Sequence, residues 1–177
     1  MEPMMSAQFQ KLQHQHNLER AFGIKVISPV SGQIRALTEH PDALARAGYF
    51  GEGVEVIPDH PVIVAPFDGR CVRTDNCGGL ISFVHQNGLK VDVRFPQSED
   101  NNGQGFQWQV PAQALVRQGQ TILHFDPHVL GNLYSHFSYI VTVHDHPKFN
   151  RILSREHFVQ GGSDVLFLIE IKESQAV

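Results

Sequence analysis

The chain has 177 residues, 41% hydrophobic and 18% charged, with a formal net charge of −4, and that length and balance fit one folded domain with a packed core. It has no basic excess to neutralise phosphates, which argues against a general nucleic-acid binder, and no apolar run long enough to span a membrane. The opening Met-Glu-Pro-Met-Met lacks the basic and apolar regions of a secretory signal, and two cysteines, Cys71 and Cys77, cannot make a disulfide framework, so the expected compartment is cytoplasmic.

Residues 1–22 are polar and rich in Gln and His, as in Gln13-His14-Gln15-His16. No apolar face repeats there, and a flexible tail is expected. From residue 23 to 177 the pattern predicts a single all-β domain. Apolar, largely β-branched runs are broken by Gly, Pro and Asp: Ile24-Lys25-Val26-Ile27, Val54-Glu55-Val56-Ile57, Val62-Ile63-Val64, Leu89-Lys90-Val91-Asp92-Val93 and Val165-Leu166-Phe167-Leu168-Ile169. Pro41 to Ala47, Pro127 to Leu133 and Pro147 to Leu153 read as short helices, with Pro41 at a first helical position.

Two turn types each occur twice. Ser28-Pro29-Val30-Ser31-Gly32-Gln33-Ile34 parallels Ala65-Pro66-Phe67-Asp68-Gly69-Arg70-Cys71. Each supplies a Pro with preset φ and a Gly free to take positive φ. Gly119-Gln120-Thr121-Ile122-Leu123-His124-Phe125 parallels Gly162-Ser163-Asp164-Val165-Leu166-Phe167-Leu168. The order first, first, second, second predicts an interleaved, pseudo-symmetric β-domain.

With Gly51-Glu52-Gly53-Val54-Glu55-Val56 and Gly103-Gln104-Gly105-Phe106 added, these motifs resemble the glucose-type IIA component of the bacterial sugar phosphotransferase system. The likeness runs from about Ile24 to Lys172. It implies an antiparallel β-sandwich of the duplicated hybrid motif type, working in the cytoplasm with protein partners of that system or a regulated transporter or enzyme. In the family one histidine, on a strand reading Val-His-Phe-Gly, accepts a phosphoryl group. A second histidine one strand earlier hydrogen-bonds the phosphoryl oxygens. A neutral imidazole is a good nucleophile near pH 7, and a nearby donor stabilises the transferred charge.

Counted without gaps from Ala65-Pro66-Phe67-Asp68-Gly69, the acceptor position is Arg94 and the supporting position is Gly79. A guanidinium stays protonated and has no free lone pair, and glycine has no donor side chain. The resemblance with these replacements implies a binding or regulatory protein linked to carbohydrate uptake that is not phosphorylated. The alternative is an active phosphocarrier using His85, whose Phe83-Val84-His85 matches the acceptor tripeptide. Against it, Asn87-Gly88 follows at once as a hairpin turn.

Strand alternation puts Lys90, Asp92 and Arg94 on the face that carries the family's site. Asp92 and Asp75 stand where the family has aromatics, and Tyr49 and Phe50 remain apolar. These six residues form the expected ligand or partner surface, unless the charges merely blunt an edge strand. Arg94 needs a counter-charge if it is partly buried. Asp92 is the expected internal partner, with Asp75 and Glu99 nearby, and a bound anion is the alternative. Eleven histidines raise a metal question, through His124 and His128 and through His144 and His146, but the third zinc-ligand motif of related scaffolds is missing. No metal and no cofactor are expected. Cys71 falls on an apolar strand position.

Overall fold

The computed structural model describes residues 11–15, 18, 22–73, 79–95 and 102–173. Its strands are β1 (Leu12–Gln15), β2 (Ile24–Ile27), β3 (Gly32–Ala36), β4 (Glu52–Pro58), β5 (Val62–Val64), β6 (Gly69–Arg73), β7 (Leu80–Val84), β8 (Lys90–Arg94), β9 (Phe106–Trp108), β10 (Ala114–Val116), β11 (Thr121–Phe125), β12 (Tyr139–Val143), β13 (Phe149–Arg155), β14 (Phe158–Val159) and β15 (Val165–Ile171). The helices are α1 (Ala43–Arg46) and α2 (Pro127–Leu133), with a 3-10 turn at Leu37–Glu39.

An eight-stranded sheet runs β10-β6-β7-β8-β12-β4-β3-β14, a four-stranded sheet runs β1-β13-β15-β2, and β5-β11-β9 make a third. Alternation sends Ile81, Val91, Val93, Val141 and Val54 inward, where they join Ile152, Phe167 and Ile169 of the smaller sheet in one core. At one end of this core Phe95 meets the rings of Phe106, Tyr134, Phe137 and Tyr139 at centroid distances of 5.0–6.0 Å. The all-β antiparallel sandwich expected from the sequence is the observed fold. Cys71 is in the core, where burial pushes its thiol up to about 11.

The paired turn motifs are partners in space. The Ser28 carbonyl accepts from the Gly162 amide at 2.9 Å, and the Ala65 carbonyl accepts from the Gly119 amide at 2.8 Å. Ser28 in turn donates to Asp164 and Ala65 donates to Gln120, at 2.8 and 2.9 Å. Both glycines have positive φ, 79° and 81°, which fits the left-handed turn that only glycine takes without strain. Each first-type turn thus docks on one second-type turn, and the interleaving follows.

Helix α2 has the expected bounds, with Asp126 capping the amides of His128 and Val129. For α1 the cap is Asp42, which accepts from Leu44 and Ala45, and Pro41 precedes it and lies outside the helix. The helix expected at Pro147 to Leu153 is instead a turn at Pro147 and Lys148 followed by the start of β13, paired with β15. Long-range pairing overrides the local signal there.

The expected tail also needs correction among its described residues. β1 pairs in parallel with β13, and the Lys11 amide donates to Glu52. Leu18 is fully buried against Leu153, Val165 and Leu168. A polar strand needs no apolar face of its own when an open sheet edge offers backbone partners. Leu18→Ala therefore lowers stability by about 2–5 kcal/mol, the range for emptying a leucine site. Urea unfolding reads it, and a loss below that range would show that the segment merely rests on the surface.

Candidate functional site

The eight-stranded sheet sets side chains in cross-strand rows. On the face away from the main core, one row reads Leu80, Arg94, Ile140, Glu55, Arg35 across β7, β8, β12, β4 and β3. The next row reads Ser82, Asp92, Thr142, Gly53. β8 lies between β7 and β12 in mid-sheet, so its charges do not blunt an edge.

Gly79 is next to Leu80, which stands opposite Arg94, and the Gly79 carbonyl accepts from Phe95 at 2.8 Å. Gly79 and Arg94 are therefore neighbours across the hairpin. His85 is at its other end. Its amide donates to Leu89, and its carbonyl accepts from Gly88. Its Nδ1 accepts from the Asn87 amide, and its ring meets Phe67 edge-on at 5.5 Å. His85 stands opposite Leu89, five residues before Arg94, which at about 3.3 Å per residue sets it ~16 Å from Arg94.

The expected Asp92–Arg94 pair does not form. Asp92 is buried, and both its oxygens are engaged: Oδ1 accepts from Ser82 Oγ at 2.6 Å, and Oδ2 meets His144 Nε2 at 2.7 Å. His144 is the diagonal cross-strand neighbour, which reaches the carboxylate better than a same-strand residue does. The Arg94 guanidinium lies over the Phe50 ring at 4.4 Å instead, and its buried Nε has no hydrogen-bond partner. Among the described residues no carboxylate pairs with it. Tyr49 is exposed and meets Phe50 edge-on at 5.6 Å. Lys90 is half-buried, and its carbonyl accepts from the His144 amide. Asp75, Cys77 and Glu99 lie outside the described residues.

A third set was not singled out by sequence. Leu37, Ala45 and Ile140 form a small apolar cluster with Phe50 on this same face. Beside it Glu55, 1% exposed, meets His136 Nε2 in a short hydrogen bond and His40 Nε2 at 3.6 Å. His40 is buried too, and desolvation pulls its pKa below the ordinary value despite the facing Glu55. Positions 40, 55 and 136 share no motif, and only the sheet register unites them. The histidines that spacing did flag do not converge: His124 is exposed, His144 is held by Asp92, and His146 Nδ1 accepts from the Lys148 amide.

The sequence matches the family described as phosphoenolpyruvate-dependent sugar phosphotransferase system, EIIA 1, over residues 24–149. The chain belongs to this family. It is 31% identical over 111 residues to the glucose-specific EIICBA component of Staphylococcus saprophyticus, a match covering 62% of this chain and 16% of that protein. It is 26% identical over 102 residues to the glucose-specific EIIA component of Bacillus cereus, covering 57% of this chain and 62% of that one. The glucose permease IIA of Mycoplasma capricolum superposes with a TM-score of 0.75 at 17% identity, over 83% of this chain and 96% of that one. The last likeness shows the EIIA fold. The chain spans about a sixth of the length of the staphylococcal relative, a multi-component protein by its name. No helix among the described residues is long and apolar enough to cross a membrane.

The Asp92 relay makes a checkable statement. Asp92→Ala strands a buried Ser82 hydroxyl, which costs about 1–3 kcal/mol. Lys90→Ala, on the same strand face, stays within about 0.5 kcal/mol. Chemical unfolding of the two variants compares them, and equal losses would mean that the Ser82–Asp92–His144 chain carries no stability.

Proposed function

We propose that this EIIA-family protein binds and regulates rather than carries a phosphoryl group, acting in the cytoplasm on components of the sugar phosphotransferase system or on a regulated transporter or enzyme. The observation that carries the reading is Arg94, at the gap-free equivalent of the acceptor histidine, with Gly79 beside it in place of the supporting one. Arg94 has no free nitrogen lone pair to take a phosphoryl group, and Gly79 has no side chain to donate to one. The active-carrier alternative would have to use His85, whose place in the β7–β8 turn, beyond the length of β8 from Arg94, speaks for the first reading.

The docking surface in this reading is Arg94, Phe50, Tyr49 and Lys90, with Asp92 beneath it. A guanidinium stacked on an aromatic ring, with no carboxylate paired to it among the described residues, is a ready receiver for a carboxylate or phosphate of the partner. The natural relay proteins of the family are therefore approached through an acidic or phosphorylated surface, not through transfer.

Incubation with phosphoenolpyruvate and the general phosphocarrier proteins, followed by intact mass at alkaline pH, decides between the readings. No added phosphate is expected. A gain of one phosphate that disappears in His85→Ala would establish the carrier. Calorimetric titration with inorganic phosphate tests the surface: millimolar or tighter affinity that Arg94→Ala abolishes is expected, and heat unchanged by that substitution would remove Arg94 from it.

A further inference from the structure

We infer that His40, Glu55 and His136 form a site for a borderline transition-metal ion, zinc above all, on the outer face of the eight-stranded sheet. The inference stands apart from whether Arg94 receives an anion.

The donor set is two imidazoles and one carboxylate, whose ligand atoms all lie within 4.8 Å of one another. Two nitrogens and an oxygen suit zinc or cobalt. Calcium and magnesium ask for six or more ligands, mostly oxygen. Tetrahedral zinc with bonds near 2.0–2.1 Å spaces its ligands about 3.3 Å apart. His40 Nε2 and Glu55 Oε1 stand at 3.6 Å, too far for a hydrogen bond and close to that spacing. His40 Nε2 is buried with no hydrogen-bond partner. A buried polar atom left so is costly, and it is aimed at a carboxylate that a cation would bridge.

The three elements divide the work. Glu55 is fixed by pairing on both sides of β4, and His40 is held between the 3-10 turn and α1. His136 comes from the segment between α2 and β12, and its side chain is one-third exposed. It is the ligand that can move. Metal entry replaces the direct His136–Glu55 hydrogen bond, so His136 swings out while the other two stay. With three protein ligands, a fourth position remains open on the solvent side, beside His136.

One hydrogen bond sets a condition. His40 Nδ1 accepts from the Asp42 amide at 3.0 Å, so the neutral ring carries its proton on Nε2. Coordination at Nε2 moves that proton to Nδ1 or to solvent. If it moves to Nδ1, two donors face each other, and the Asp42 amide must turn to water. Asp42 is half-exposed and able to do so. Metal uptake should therefore shift the Asp42 amide resonance although Asp42 is no ligand.

The test uses the untagged full chain, stripped with chelator and titrated with cobalt, followed by visible absorption and by displacement with zinc. One cobalt per chain with a tetrahedral spectrum is expected, together with movement of the Asp42 amide. His136→Ala and Glu55→Gln should each weaken binding by about a hundredfold or more, beyond what supporting residues around a metal contribute. His144→Ala and His146→Ala should leave it unchanged. Should Glu55→Gln fail to fold, His136→Ala decides, since its side chain is partly in water and circular dichroism can verify its fold. Absence of stoichiometric uptake, or uptake that survives His136→Ala, overturns the site.

Discussion

Two carboxylates, Glu55 and Asp92, sit almost out of water on strands in the middle of a sheet. A charge there is costly unless it is met by hydrogen bonds or a counter-charge. The sheet meets both in the same way, with an imidazole from an adjoining segment: His136 at Glu55, His144 at Asp92. Everything distinctive on the outer face follows from this demand. Because Asp92 is taken, Arg94 turns to Phe50. Because Glu55 is roofed by histidines, the 37–50 segment packs down on Ile140.

The inner face obeys a simpler rule. Val, Ile and Phe alternate inward with few polar interruptions, and one continuous core joins the large sheet to the small one. Fully buried Tyr139 is the exception, since its hydroxyl has no partner and its pKa is pushed well up by desolvation. The division between an apolar inner face and an outer face that mixes charged and apolar side chains lets chemistry change on β8 without disturbing the scaffold. That explains how an EIIA fold accommodates arginine and glycine at positions 94 and 79.

The architecture was legible from punctuation. Pro29 with Gly32 and the later glycines at 119 and 162 mark turns whose conformations few other residues adopt, and Gly69 after Pro66 leaves room where a Cβ would collide with the Val84 carbonyl oxygen, so their order exposed the pseudo-symmetry although Gly69 does not take the positive φ expected of it. The Asn87-Gly88 turn set the β7–β8 register, and with it the neighbourhood of Arg94 and Gly79. Other parts were hidden for physical reasons. β1 is held by its backbone, which leaves no side-chain pattern, and Leu18 is a single apolar residue in a polar stretch. Pro147 to Leu153 looked helical because its strand partner is far along the chain. Asp92 and Arg94 are close in sequence and share a face, which made them look like partners. The competing claim of His144 belongs to the sheet. The His40, Glu55 and His136 set is assembled by three segments and leaves no local trace.

The placement of β15 has a consequence for how the molecule comes into being. This strand, near one end of the chain, is an interior member of the four-stranded sheet, flanked by β13 and by β2 from the opposite end. A ribosome-bound chain lacking it would hold β2 without a neighbour, and the apolar floor of the core would stay open. Assembly of the small sheet thus waits for synthesis to pass Ile171, and its closure joins residues far apart along the chain, a slow kind of contact to form. Until then the nascent protein exposes sticky strand edges, and its dependence on chaperones should be greatest in that interval.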